Sequence, residues 1–310
     1  MTNLATITTY ATDDQQHLAT TEVIFRKLLV AVDFSAQTQQ VLKTAISVAT
    51  SFNAEILFVH ATSPVIYGAG TEPVPIDNYA INLEAAQTRM ADLMTSDPRL
   101  QQVRHREIVQ YAAAVGLVQE TVRAEKVDLV IAGSHGAHGL GRLVLGSVAE
   151  AMLRHLNCPV LIVGPRASSF ACPFRSVLLA SSLKLSGLRA AQYASGLAEK
   201  FHGRLTLVHV IEQVVGDDGP EPELVENHAR RELERLLPSD LGLYSKVKVR
   251  TAHGYPADVI TLIAREECAG VIVCGVAEDA ALADHTPGST LAKIIREAHC
   301  PVLCVRPHLV

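Results

Sequence analysis

Runs of consecutive apolar residues alternate with amphipathic stretches along almost the whole chain. Lys27–Val32, Glu55–His60 and Val127–Ala132 place apolar residues in succession rather than at every second position. Strands buried on both faces of a parallel sheet carry that pattern. Between the first two runs, Val41, Leu42, Ala45, Val48 and Ala49 recur at helical spacing and predict a helix over Gln37–Phe52. Helices are also predicted over Tyr79–Thr95, Ala113–Glu125 and Ser147–His155, and a last apolar strand over Val160–Val163. Val103–Val109 is more polar and carries Arg104 and Arg106, which suits a charged edge strand. The Pro- and Gly-rich Thr62–Asp77 is a long loop, of the kind that often serves function.

The same order then recurs. Strands are predicted at 176–181, 204–210, 246–252, 271–274 and 302–305, and helices at 186–201, 222–237, 256–267 and 289–298. The recurrence is visible residue by residue. Phe25–Asp33 aligns with Phe174–Ser182, and Phe52–His60 with Phe201–His209, at one constant offset. Gly133 aligns with Gly275, Gly146-Ser147 with Gly288-Ser289, and Cys158-Pro159 with Cys300-Pro301, at an offset seven residues shorter. The chain is a duplication: a polar tail over 1–24, a first domain over 25–166, a short linker over 167–172 and a second domain over 173–307. Alternating strands and helices in each half mean an α/β fold, a doubly wound parallel sheet with helices on both faces. Ligands of such sheets bind beyond the strand C-termini, where the strand order reverses.

Composition narrows the partners. With 27 Lys and Arg against 32 Asp and Glu, the net charge of −5 gives no electrostatic reason to expect nucleic acid. No uncharged apolar run approaches the ~18 residues of a membrane span. The tail has no apolar signal core, so a cytoplasmic protein is expected. Six cysteines (158, 172, 268, 274, 300 and 304) form no paired zinc-ribbon spacing. They read as buried thiols in a reducing compartment rather than as redox or metal groups.

The chemistry-bearing stretch is Gly133-x2-Gly136-x9-Gly146-Ser147, between a strand and a helix. A glycine-rich strand-to-helix loop can offer backbone N–H groups and a helix N-terminus to an anion. It is neither a Walker loop, since Arg142 stands where Lys is needed, nor a GxGxxG dinucleotide fingerprint. Asp33 ends the first strand, followed by Phe34 and Ser35. Its carboxylate suits a ribose hydroxyl, and equally Asp33 or Ser35 suits a cap for the next helix. His60 and His209 end matching strands, and their duplication favours a structural role. His135 and His138 have no carboxylate at a useful spacing, so neither is assigned as a general base.

Val30–Ser35 (VAVDFS), the glycine pattern and Cys158–Val163 (CPVLIV), in that order, resemble the universal stress protein family in its tandem form. The resemblance covers nearly all of the chain after residue 24. It implies a five-stranded parallel sheet of order 3-2-1-4-5 in each half. It implies pairing of the halves through Val160–Val163 and Val302–Val305, an internal pseudo-dimer, with a homodimer of whole chains an open option. It also implies ATP binding wherever the glycine pattern is intact. Carried onto this sequence, the adenine and ribose would lie against Ala31, Val32 and Asp33, with Ala61 near the base and Ala132 and Gly133 flanking base and sugar. Gly136, Gly146, Ser147 and Val148 would hold the phosphates. Arg142 stands where it could neutralise one, and Mg²⁺ could accompany the nucleotide.

The second half departs from the pattern. Ser182 replaces Asp33 and Glu278 replaces Gly136. Like charges about 4 Å apart repel by ~4 kcal/mol at an effective dielectric of 20, so a phosphate beside Glu278 is disfavoured. The expectation is one ATP site, in the N-terminal half of a stress-response sensor or switch whose protein partners are unknown. Two alternatives remain: a slow ATPase on the same pocket, and an interaction module without nucleotide.

Overall fold

The computed structural model describes residues 22–62, 76–134, 145–184, 186–212, 221–238, 246–276 and 289–307, with the side chains of 76–79 and 186 excepted. The first half runs β1 (Lys27–Ala31), α1 (Thr38–Phe52), β2 (Glu55–Thr62), α2 (Ile76–Thr95), β3 (His105–Tyr111), α3 (Ala114–Glu125), β4 (Leu129–Gly133), α4 (Ser147–His155) and β5 (Val160–Val163). The second runs β6 (Ser176–Ala180), α5 (Ser186–Lys200), β7 (Arg204–Ile211), α6 (Pro222–Arg235), β8 (Lys246–His253), α7 (Pro256–Glu266), β9 (Val271–Gly275), α8 (Thr290–Glu297) and β10 (Val302–Val305). A 3-10 turn, Pro98–Gln102, precedes β3, and its Asp97 cap accepts from the Arg99 N–H.

All ten strands join one sheet in the order β3-β2-β1-β4-β5-β10-β9-β6-β7-β8. Each half therefore has the expected order 3-2-1-4-5, parallel throughout. The halves meet where β5 and β10 pair antiparallel, with Leu303 opposite Leu161. Both strands are buried along their full length, as their unbroken apolar runs require.

Alternate strand residues feed two cores. Leu28, Val30, Ile56 and Phe58 join Val41, Leu42, Met90, Ala194 and Leu233 from α1, α2, α5 and α6. Leu29, Leu57 and Val130 join Leu117, Met152, Ile263 and Ile294 from α3, α4, α7 and α8. Both cores run across the two halves. On the first face the duplicated phenylalanines meet, with Phe52 5.4 Å from Phe174 and 5.2 Å from Phe201 between ring centroids. Aromatic pairs at such distances add ~0.5–1.5 kcal/mol beyond their burial. At the seam, a Cβ on Gly164 would stand 1.9 Å from the Ile295 carbonyl oxygen, so only glycine lets α8 approach the end of β5.

The duplication is kept in the backbone even where side chains differ. Among the described residues, the non-glycine positions with positive φ form three matched pairs: Phe34 and Leu183, Asn53 and His202, Lys126 and Cys268. Asn53 and Lys126 end α1 and α3 in the left-handed conformation, with their N–H groups returned to Ala49 and Val122. Such caps satisfy carbonyls that a helix end leaves open.

Candidate functional site

β1 and β4 lie side by side, with Ala31 opposite Ala132 in register. The chain leaves β1 for α1 on one face and leaves β4 for α4 on the other. The crevice between those exits is the switch point of the first half, where ligands of open α/β sheets bind.

Ala31, Val32 and Asp33 close one wall. Val32 is buried, and its N–H donates to the Val59 carbonyl at 2.9 Å. Asp33 Oδ1 accepts from the Ser35 N–H at 2.9 Å and from the Thr38 hydroxyl at 3.1 Å. The first bond is an Asx turn, which leads the chain into α1. The N-cap of α1 is Gln37 and takes no side-chain cap bond, so neither Asp33 nor Ser35 caps the helix; Asp33 holds the turn that precedes it, through one carboxylate oxygen. Among the described residues Oδ2 takes no hydrogen bond, so a ribose hydroxyl could still be received there.

Phe34 turns the chain with φ 54. That conformation costs an L-residue with a Cβ roughly 1–2 kcal/mol. Its ring rests against His60, 4.4 Å between centroids, and beneath the Arg89 guanidinium, 4.3 Å away. His60 Nδ1–H donates to the Val32 carbonyl at 2.7 Å, and His209 repeats this on Ser181 at 2.9 Å. Each ring ties the end of a second strand to that of a first. Burial pushes the His60 pKa below its ordinary value, with Arg89 adding to the fall, against the opposing pull of Val32 and Asp33.

Ala132 and Gly133 form the other wall. A Cβ on Gly133 would lie 3.0 Å from Gln37 Oε1, so glycine makes room for the amide at the start of α1. Ser134 is fully buried and pins both ends of the glycine loop: its N–H donates to Val163, and its carbonyl accepts from Gly146 at 2.8 Å. Gln37 Nε2 lies 3.4 Å from the Ser134 hydroxyl, across the crevice. Neither residue stood out in the sequence. No local signal marks them, and the repeat puts unlike residues, Ser186 and Val276, at their counterparts.

Gly146 is the N-cap of α4 and contributes no side-chain cap. Ser147 is exposed, and Val148 and the half-buried Ala61 stand near the crevice at the starts and ends of their elements. Among the described residues the start of α4 has no side-chain cap, and it carries the positive end of the helix dipole. The second half differs at this point. There Ser289 caps α8 itself, its hydroxyl accepting from the Ala292 N–H at 3.3 Å. Gly136, Arg142, His135, His138, Gly288 and Glu278 lie outside the described residues, as does most of the Thr62–Asp77 loop.

The expectation of buried thiols holds for Cys274, Cys300 and Cys304, whereas Cys158 and Cys172 are half-buried and Cys268, just beyond α7, is exposed. Burial pushes Cys158 up to about 11 and Cys274 and Cys300 up to about 12. Among the described residues no group of three His, Cys, Asp or Glu side chains could hold a metal, and no helix is long and apolar enough to cross a membrane.

Two doubly wound α/β domains, joined through their last strands and each with its own switch point, define a tandem α/β protein. The universal stress protein family model matches residues 24–164 and again 173–306, and the chain belongs to that family. A universal stress protein of Mycolicibacterium smegmatis is 26% identical over 291 residues, covering 90% of this chain and 97% of that protein. Universal stress protein A homolog 1 of Coxiella burnetii is 34% identical over 143 residues, 45% of this chain and 96% of its own. The crystal structure of a universal stress protein from Archaeoglobus fulgidus superposes with a TM-score of 0.68 at 20% identity, covering 91% of this chain and 97% of that one.

Proposed function

We propose that the N-terminal half binds one ATP in the crevice between β1 and β4, and that occupancy switches the protein's surface for its partners. The observation that carries this is the contrast between the duplicated helix starts. Among the described residues α4 has no side-chain cap on its first-turn N–H groups, while α8 is capped by Ser289. A triphosphate would take the place of a cap at α4. Asp33 would receive a ribose hydroxyl on Oδ2, with Ala31, Val32, Ala61 and Ala132 as the apolar surface for the base. Gly136, Gly146, Ser147 and Val148 would surround the phosphates, with Arg142 as a counter-charge. Mg²⁺ would come with the triphosphate, held chiefly by its oxygens.

A switch needs differential affinity between two arrangements of the protein. The 62–77 segment, which follows β2 in the sequence, and the glycine loop, which follows β4, are the segments whose arrangement would change. The C-terminal half, with Ser182 and a self-capped α8, is read as lacking nucleotide. The test is titration of the full chain with labelled ATP, with mass spectrometry of any ligand that co-purifies. A stoichiometry near one per chain is expected. Two per chain, or none, would overturn the reading. Steady turnover within the ~1–10³ s⁻¹ of ordinary enzymes would make the protein an ATPase instead of a switch.

A further inference from the structure

Arg89 reaches the candidate site without lining it. It stands on α2, the helix that follows the 63–75 segment, and its side chain crosses to the β1–α1 turn. Nη2 donates to the Phe34 carbonyl at 3.2 Å while the guanidinium covers the Phe34 ring. The same ring meets His60, which is itself fixed to Val32. Phe34 is thus gripped between α2 and the end of β2. It is the residue next to Asp33, and it holds the unfavourable left-handed conformation through which the Ser35 N–H turns back onto Asp33 Oδ1.

The second half separates this grip from the needs of the fold. Leu183 takes the place of Phe34 with φ 58 and has no ring to stack. Its N–H goes to the Ser181 hydroxyl at 3.1 Å. Among the described residues that turn therefore forms with no cation and no ring stacked on it, and the Arg89–Phe34 clamp belongs to the half that retains Asp33 and the glycine pattern.

We infer that Arg89 is a positioning residue for the nucleotide site: by clamping Phe34 from α2 it fixes the orientation of the Asp33 carboxylate and makes nucleotide affinity depend on the placement of α2. This rests on the ATP reading of the crevice. Linkage makes the coupling reciprocal, so a bound nucleotide holds α2 down as firmly as α2 holds the carboxylate. The helix that follows the 63–75 segment then carries the state of the site to the protein surface.

The experiment uses the full chain and fluorescent ATP, with R89A, R89K, F34L, R89A/F34L and D33A variants. F34L installs the residue that the second half uses in the same turn. R89A is expected to weaken ATP about tenfold, the size of one lost positioning contact to a charged group. F34L should do the same, and the double variant should bind no more weakly than either single one, because both remove one device. R89K keeps a cation over the ring and should recover part of the loss. Arg89 is exposed, so the nucleotide-free melting temperature of R89A should stay within about 2 °C of the parent. If the parent binds ATP and D33A does not, but R89A binds like the parent, the clamp is refuted and the site stands. Losses that multiply in the double variant refute it as well. If the parent itself binds no ATP, the site reading falls and the inference falls with it.

Discussion

Asp33 is asked to do two jobs, and one isosteric substitution separates them. In D33N the side-chain oxygen can still accept from the Ser35 N–H and the Thr38 hydroxyl, the two bonds now made at 2.9 and 3.1 Å. Stability should therefore stay near that of the parent. D33A removes both bonds and should cost about 1–3 kcal/mol, the sum for two intramolecular hydrogen bonds. Nucleotide affinity should respond differently. A hydrogen bond from a ribose hydroxyl to a carboxylate contributes about 1.5–3 kcal/mol, and one to a neutral amide about 0.5–1.5 kcal/mol. D33N should then weaken ATP by roughly five- to tenfold, and D33A by roughly ten- to a hundredfold, at 1.4 kcal/mol per decade. Urea denaturation and ATP titration on the same three proteins give both numbers. Equal ATP affinity in D33N and the parent would refute the ribose role and leave Asp33 a turn-holding residue alone. A D33A protein as stable as the parent would refute that structural role.

Other perturbations probe the rest of the molecule. G164A puts a methyl group against the Ile295 carbonyl and should destabilise the seam by about 1–3 kcal/mol in urea; a variant as stable as the parent would show that the seam yields easily. Glu125, bonded by Arg106 and Lys27, is held down at about 2 from an ordinary 4.5. Its contribution is present above pH 4.5 and lost as pH falls toward 2, so E125Q should flatten that part of the acid unfolding curve; parallel curves would contradict this. Exposed Cys268 should react with a thiol reagent in the native protein, whereas buried Cys274, Cys300 and Cys304 should react only after denaturation. Fast native labelling of those three would contradict their burial.

Local signals in this chain carried the fold. Strands buried on both faces show as unbroken apolar runs, and the β1, β4, β5 and β10 positions follow from them within a residue or two. Duplication fixed the rest by giving each element a second specimen. The start of α2 at Ile76, ahead of the expected Tyr79, and the 3-10 turn at Pro98 escaped because short polar segments carry little periodicity. At the candidate site, the strand-to-helix placement of Gly133 and Gly146 and the strand-end position of Asp33 were legible, because they follow from the strand and helix signals beside them. Gln37, Ser134 and Arg89 were not, since their contacts join residues 97 and 55 positions apart. Polar contacts of that range leave no pattern in a single sequence. Asp33 shows a subtler limit: a carboxylate just before a helix reads as its cap, yet it holds the preceding turn instead and spends only Oδ1 on it.

The antiparallel meeting of β5 and β10 also limits what this chain can assemble into. A strand has two hydrogen-bonding edges. β5 spends its pair on β4 and β10, and β10 spends its pair on β5 and β9. The docking edge that a single domain would offer to a second copy is consumed inside one polypeptide. Any larger assembly has to be built from the rims at β3 and β8 or from a helical layer, a different joint from the one that holds the two halves together. Because the joined strands run in opposite directions, the two crevices open toward opposite ends of the sheet. Ligand at one end and partner at the other would never collide, and the second crevice is free to change its chemistry without disturbing the first.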